Sequence, residues 1–297
     1  MKKFTGTGVA LVTPFKADGA IDYPALERVI EHVILGNVDY LVVQGTTGES
    51  ATLSEEEKME VLAFTKKINR SRVPIVYGLG GNNTAALLAA MDTIDFSEVE
   101  AVLSVSPYYN KPSQAGIIAH YEALADKCPV PIILYNVPGR TMSNLSAATT
   151  LKLAQHKNII GVKEASGNLE QCMRIVNAKP DNFLLISGDD MNTTPMRSIG
   201  AEGVISVMAN AYPEIMGAII HGNCEYSKKG SFSLLDINPL MYEESNPVGV
   251  KCLMEHLGIC ESHVRLPLQK ASNDLRSRII AAADRINTNQ FYSPHLE

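Results

Sequence analysis

Asn158-Ile159-Ile160-Gly161-Val162-Lys163-Glu164-Ala165 is the stretch whose reading decides the fold. Its apolar residues run without polar alternation, as in a strand covered on both faces, and such strands belong to parallel sheets. A lysine closing that run stands where parallel α/β folds keep their active sites, at the carboxyl ends of the strands. An amine held there is partly stripped of water, can lose its proton near neutral pH and can attack a carbonyl. Most lysines that end strands simply reach solvent, so this segment alone leaves both fates open.

Seven further apolar, β-branched runs accompany it: Val9 to Val12, Tyr40 to Val43, Val73 to Tyr77, Ala101 to Val105, Val130 to Leu134, Phe183 to Ile186 and Gly203 to Val207. Helical patterns lie between them. Ser54 and Glu57 spell a capping box ahead of Leu62, Thr65 and Ile68 on one helical face. Pro112 and Ser113 introduce Ile117, Ile118, Tyr121 and Leu124 at the same spacing. Strand and helix alternating eight times predict an α/β fold, a (β/α)8 TIM barrel. An open doubly wound sheet would want a dinucleotide-type glycine turn, and Gly78-Leu79-Gly80-Gly81 has the wrong spacing. Strand signals stop near Pro213. The expected division is a catalytic barrel over 1–212 and a C-terminal helical appendage over 213–297, its last helix running from about Asn273 to Ile286.

Composition narrows the setting. The 297 residues are 45% hydrophobic and 20% charged, as in a globular chain with a sizeable core. The net charge is −6 with acids and bases mixed, which argues against nucleic acid or an anionic membrane surface as partner. No apolar run approaches the roughly 20 residues that span a bilayer, and the N-terminal stretch, cut by Thr and Gly before Pro14, makes a poor signal peptide. Cys128, Cys172, Cys224, Cys252 and Cys260 are odd in number and lack zinc or redox spacing, so buried, reduced thiols in a cytoplasmic protein are expected. Leu296-Glu297 receives no functional weight.

In a barrel the residues after each strand converge on one mouth. Those residues are Gly45-Thr46-Thr47-Gly48-Glu49-Ser50, Ser106-Pro107-Tyr108-Tyr109-Asn110-Lys111-Pro112, Tyr135-Asn136-Val137-Pro138-Gly139-Arg140, Lys163, and Ser187-Gly188-Asp189-Asp190. The Gly-Thr-Thr-Gly turn can hold a carboxylate with its amides and hydroxyls, or be an ordinary loop before a helix. Tyr135 can pass protons to and from a carbon beside a carbonyl, or pack in the core. Arg140 suits bidentate capture of a carboxylate, or is a solvated charge. The seven histidines show no metal-ligating spacing and no metal is expected. Lysine, tyrosine and threonine without a metal cluster point to Schiff-base chemistry.

Five motifs occur together and in order: Gly45-Thr46-Thr47-Gly48-Glu49, Pro107 to Pro112, Tyr135 to Thr141, Gly161-Val162-Lys163-Glu164-Ala165 and Ser187 to Asp190. With them the chain, from about Thr5 to Ile286, closely resembles the 4-hydroxy-tetrahydrodipicolinate synthase (dihydrodipicolinate synthase) family of the pyruvate-dependent class I aldolase superfamily. The resemblance implies a cytoplasmic barrel lyase, a homotetramer built as a dimer of dimers. It would condense pyruvate with L-aspartate-4-semialdehyde, the first committed step toward diaminopimelate and lysine. It implies that Lys163 forms the imine with pyruvate, with no separate cofactor. Tyr135, Thr47 and Tyr109 would relay protons, Tyr109 from a neighbouring subunit. Thr46 and Thr47 would bind the pyruvate carboxylate, Arg140 the carboxylate of the aldehyde, and Gly188 and Ile205 would line the site. The alternative within the superfamily is an N-acetylneuraminate lyase or a keto-deoxy sugar acid aldolase. Arg140, the tyrosine pair and the Thr46-Thr47 pair favour the synthase. A non-catalytic sensor on the same barrel would be expected to lack the lysine or the tyrosine.

Two departures from the family pattern stand out. Where members often read Asn-Pro-x-Pro-Val-Lys, this chain has Asn246-Pro247-Val248-Gly249-Val250-Lys251. Gly249 is expected to loosen a helix start away from the chemistry. Many members are also inhibited by lysine in a cleft between subunits, and the matching positions are Ser50, Ala51, Glu55, Lys58, Asn82, Ala86 and Tyr108. Sensitive members carry glutamate in place of Ala86 and commonly histidine in place of Lys58, so the resemblance implies weak or absent inhibition.

Overall fold

The computed structural model describes residues 3–291. Leu296-Glu297 lie outside them, as do Met1 and Lys2. Eight strands, β1 (Gly6–Ala10), β2 (Tyr40–Val43), β3 (Ile75–Gly78), β4 (Val99–Val105), β5 (Ile132–Asn136), β6 (Ile159–Glu164), β7 (Leu184–Ser187) and β8 (Gly203–Ser206), form a closed barrel in sequence order. Every neighbouring pair is parallel, β1 with β8 included. The helices are α1 (Tyr23–Leu35), α2 (Glu55–Asn69), α3 (Thr84–Ala90), α4 (Gln114–Lys127), α5 (Pro138–Thr141), α6 (Ala147–Leu153), α7 (Leu169–Ala178), α8 (Thr193–Ser198), α9 (Pro213–His221), α10 (Cys224–Ser233), α11 (Val248–His256) and α12 (Asn273–Ala283).

Local sequence accounts for most of these boundaries. Asp22 caps α1, which buries Ala25, Leu26, Val29, Ile30 and Val33 along one stripe. Ser54 and Glu57 close the reciprocal capping box of α2, and Leu62, Thr65 and Ile68 are buried as their spacing requires. Ser113 caps α4, which buries Ile117, Tyr121 and Leu124 while Ile118 lies at the edge. Helix α9 packs on β1 and β8 and completes the helical layer around the sheet.

Side chains alternate between two apolar layers. Ala10, Tyr40, Val42, Val76, Leu103, Ile133, Tyr135, Ile186 and Ile205 fill the inside of the barrel. Ile132, Leu134, Val162 and Leu185 face the helices. Each such side chain, fully buried, contributes roughly 1.5–3 kcal/mol of transfer free energy.

Only the second strand has its predicted extent; the other seven shift by one to three residues at one or both ends, and the first and sixth show why. The first begins at Gly6, not Val9, because Gly8 leaves room for the Tyr40 ring: a Cβ there would lie 2.2 Å from it. It ends at Ala10, and the Val12 N–H donates instead to the Asn210 side chain at 3.1 Å. The sixth runs past Val162 through Lys163 and Glu164, which pair in register with Tyr135 and Asn136. The cysteines are free, but Cys224, at the first turn of α10, is exposed and not buried as expected. Among the described residues no helix is long and apolar enough to cross a membrane.

Candidate active site

The alternation along β5 and β6 turns Tyr135 and Lys163 into the barrel, since their neighbours Leu134 and Val162 face the helices. Lys163 is only 5% exposed, and its Nζ lies 4.3 Å from the centroid of the Tyr135 ring. Behind the pair, the buried Glu164 carboxylate accepts from Asn136 Nδ2 at 3.0 Å, Gln171 Nε2 at 2.9 Å and the Ser166 N–H at 2.8 Å. Asn136 Oδ1 in turn accepts from the Leu145 N–H at 3.0 Å. These bonds tie the two strand ends together at the residues next to Tyr135 and Lys163, so a slip of register would leave several buried polar groups unpaired.

The Gly-Thr-Thr-Gly segment forms a single 3-10 turn, Thr46–Gly48, directly after β2. Thr47 is buried and Thr46 exposed. Thr13 Oγ1 donates to the Gly48 carbonyl at 2.7 Å and pins the turn to the chain leaving β1. The other support comes from the C-terminal region. Asn246 Nδ2 donates to Thr47 Oγ1 at 2.9 Å, and Lys251 Nζ donates to the Glu49 carboxylate. The segment from Asn246 to Lys251 thus reaches the turn through its two ends, while Gly249, expected from sequence to loosen a helix start away from the chemistry, lies near the start of α11. A Cβ there would meet the Leu240 carbonyl oxygen and Met241 Cα at 2.5 Å, so the glycine permits the close approach that seats α11.

Lys251 is fully buried. Burial pushes its ammonium below the ordinary lysine value, while the Glu49 charge and hydrogen bond work in the opposite direction. It also donates to the His263 carbonyl at 2.8 Å and sits 4.2 Å from the Phe15 ring centroid. Arg265 stacks on the same ring at 4.6 Å and donates to Glu57 at 2.7 Å, a hydrogen bond that holds the Glu57 carboxyl at about 2. Nothing in the local pattern around Asn246, Lys251 or Arg265 marks them as neighbours of Thr47.

The remaining predicted residues fall around the mouth in different ways. Ile205, in register with Gly8, packs inside the barrel in the same apolar group as Tyr135. The Gly188 N–H donates to the Glu164 carbonyl at 2.8 Å, which sets the loop after β7 beside the end of β6. Arg140 lies in the short α5 and is exposed. Tyr109 is 86% exposed on a left-handed backbone, φ 73°. Asp190 is buried, accepts from the Met208 N–H at 3.0 Å and is pushed up by that burial. Tyr242, which sequence reasoning missed, has its hydroxyl pushed well up by burial, then by Asp190, Asp189 and Tyr135, and pulled down by Arg140. Tyr242 directly follows the 3-10 turn Asn238–Met241, and the residue as a whole is 39% exposed.

The positions matched to an effector cleft form linked pieces. Ser50 and Ala51 belong to a 3-10 turn, Ser50–Thr52. Lys58 pairs with Glu55 at 2.7 Å, and Ala86 is exposed on α3. Asn82 Nδ2 donates to the Tyr108 carbonyl at 3.1 Å, and Asn110 Nδ2 to the Asn82 carbonyl at 3.0 Å. Among the described residues no three His, Cys, Asp or Glu side chains are grouped to hold a metal.

A buried amine at a strand end of a closed parallel barrel, against a tyrosine ring, with a threonine turn following another strand of the same barrel, offers the groups that Schiff-base chemistry uses. The sequence pattern of the Dihydrodipicolinate synthetase family matches residues 3–286. The chain belongs to this family. A 4-hydroxy-tetrahydrodipicolinate synthase of Cytophaga hutchinsonii is 51% identical over 96% of this chain and 98% of that one. Among solved dihydrodipicolinate synthases, the chloride-inhibited enzyme of Acinetobacter baumannii, complexed with pyruvate, is 34% identical with a TM-score of 0.92, over 95% of this chain and 98% of that one. The enzyme of Cyanidioschyzon merolae, solved with lysine bound, is 36% identical with a TM-score of 0.90, over 96% and 99%. As a family member of this length, the chain spans nearly the whole of each relative.

Proposed function

We propose that the chain is a 4-hydroxy-tetrahydrodipicolinate synthase, a lyase of lysine and diaminopimelate biosynthesis that joins pyruvate to L-aspartate-4-semialdehyde. The observation that carries this reading is the buried Lys163 Nζ 4.3 Å from the Tyr135 ring centroid. In the proposed reaction the Lys163 amine adds to C2 of pyruvate and water leaves, so a C=N bond replaces C=O. Thr46 and Thr47 hold the pyruvate carboxylate. The imine nitrogen draws electrons from C3, whose proton passes to Tyr135 and along Thr47 and Tyr109. The enamine carbon attacks the aldehyde, whose oxygen takes the proton back, while Arg140 holds the second carboxylate. The substrate amine then displaces Lys163 from C2, closing the ring and freeing the lysine. Gly188 and Ile205 line the pocket. No metal and no cofactor beyond the imine take part in the proposed chemistry.

Borohydride added to protein and pyruvate should fix one pyruvyl group per chain on Lys163. An adduct mapped to another lysine, or full labelling of Lys163→Ala, would overturn the reading. A coupled assay with aspartate semialdehyde and with sugar acids separates the synthase from a sugar-acid aldolase.

The proposed setting is the cytoplasm and the proposed assembly a homotetramer, a dimer of dimers. The exposed Tyr109, held between Pro107 and Pro112, supports delivery of its hydroxyl into a neighbouring subunit. Mixed oligomers of Tyr109→Phe and Lys163→Ala chains should then recover activity that neither parent has; no recovery after confirmed subunit exchange would refute it. Feedback by lysine is proposed to be weak. Ala86 offers no carboxylate to an α-ammonium, and the Glu55 carboxylate is engaged by Lys58. One lost charge-assisted hydrogen bond removes about one to two decades of affinity. Strong inhibition at sub-millimolar lysine would refute this, and Ala86→Glu should increase sensitivity.

A further inference from the structure

The Thr46-Thr47 turn is gripped by residues from the far end of the chain, whereas the buried Glu164 network beside Lys163 draws on nearby elements. The residue that follows the turn, Glu49, is buried in the left-handed region at φ 53°, where a non-glycine residue stays only when its surroundings hold it. Here they do. One Glu49 oxygen accepts from Lys251 Nζ and the other from the Arg265 N–H at 3.1 Å. Arg265 also donates to the Gly19 and Thr52 carbonyls, each at 2.9 Å, and its guanidinium clamps Glu57 in the cap of α2. Asn246, about two hundred residues from Thr47, then donates to the Thr47 hydroxyl at 2.9 Å.

A buried ion pair adds little stability over an apolar replacement, so its value lies in the geometry it dictates. Lys251 and Arg265 hold the Glu49 carboxylate at the end of the turn, Asn246 holds the Thr47 hydroxyl, and Thr13 holds the Gly48 carbonyl. Amide and hydroxyl directions in Thr46-Thr47 are therefore fixed by the segment 246–265 as much as by β2. We propose that Asn246, Lys251 and Glu49 are positioning residues for pyruvate: they hold the Thr47 hydroxyl and the turn's amides in the direction that captures its carboxylate. This rests on the reading above, in which Thr46 and Thr47 hold that carboxylate.

The test compares Lys251→Met, Asn246→Ala, the double variant Glu49→Gln/Lys251→Met and Thr47→Val as full-length proteins. KM for pyruvate, KM for the semialdehyde, kcat, the rate of borohydride trapping and Tm are read for each. Asn246→Ala should raise KM for pyruvate about tenfold, the equivalent of one lost hydrogen bond, with Tm little changed. Lys251→Met should raise it at least as far, with KM for the semialdehyde within about twofold. If Lys251→Met does not fold, the double variant replaces it, because it removes both charges together. The double variant should regain Tm without regaining affinity for pyruvate. Recovery of both would show a scaffold role and overturn the proposal. So would unchanged pyruvate kinetics in Asn246→Ala alongside impaired Thr47→Val. If Thr47→Val itself binds and traps pyruvate normally, the carboxylate-binding reading fails and the positioning proposal with it.

Discussion

Two buried glutamates stand beside the two halves of the candidate site and are held in opposite ways. Glu164 follows Lys163 and is caged by uncharged donors from neighbouring elements: Asn136 on the adjacent strand, Gln171 on the following helix and the Ser166 amide. Glu49 closes the Thr46-Thr47 turn and is held by a cation 202 residues away. The first cage comes with the barrel, because the register that pairs Tyr135 with Lys163 also pairs Asn136 with Glu164. The second exists only once the C-terminal helices have docked. The lysine side of the candidate site is thus a property of the sheet, and the threonine-turn side a property of tertiary assembly.

Identical substitutions should separate the two. Glu49→Gln leaves the Lys251 ammonium buried without its counter-charge, and loss of one partner of such a pair costs about 3–5 kcal/mol. Denaturant unfolding should show that loss as a lower midpoint at unchanged slope. A drop below about 1 kcal/mol would mean that Lys251 already folds neutral and that no ion pair orders the turn. Glu164→Gln is expected to cost less, about 1–2 kcal/mol, because it keeps one acceptor and leaves no stranded charge. Equal losses in the two variants would erase the distinction between a local cage and a long-range pair.

The same contrast explains what was legible in the sequence. Apolar periodicity reports on burial within an element. It located all eight strands, the capping box of Ser54 and Glu57, and the inward-facing Lys163 and Tyr135. Strand-end position singled out Thr46, Thr47, Arg140 and Gly188, and motif resemblance added their roles and Ile205, which lies within β8. Neither source carries a signal for polar contacts between distant elements. Asn246 and Lys251 belong to a run that matches a family pattern, but the run does not say what either side chain touches, and Tyr242 reads as part of an appendage. Their partners are set by how α11 seats against the barrel, and the one local mark of that seating, Gly249, reads as a weakness until Leu240 and Met241 are seen against it. Cys224 shows the converse limit, since composition predicts burial in general but not which thiol lies at an exposed helix start.

The smallest expected effect is a control for burial itself. At the opposite end of the barrel, His221 Nε2 lies 2.7 Å from Asp39 Oδ2, which also accepts from the Thr7 N–H at 2.6 Å. This is a charge pair between distant residues, as at Glu49, but the His221 side chain is 45% exposed. The hydrogen bond to Asp39 raises the His221 pKa, burial opposes it, and the Asp39 charge adds to the rise. A group whose pKa is raised on folding contributes stability that is complete below its unfolded value, about 6.5, and is lost as pH climbs through the folded value. Solvent screening holds the contribution below about 1 kcal/mol. His221→Gln should therefore lower Tm by about 1–2 °C near pH 6, and by less near pH 9, where the histidine is neutral. Added salt should shrink the difference at the lower pH. The Glu49→Gln loss should be nearly insensitive to salt, because a buried pair is poorly screened. If salt weakened both pairs alike, Lys251 and Glu49 would be wetter than their burial implies, and the contrast between the two ends of the barrel would fail.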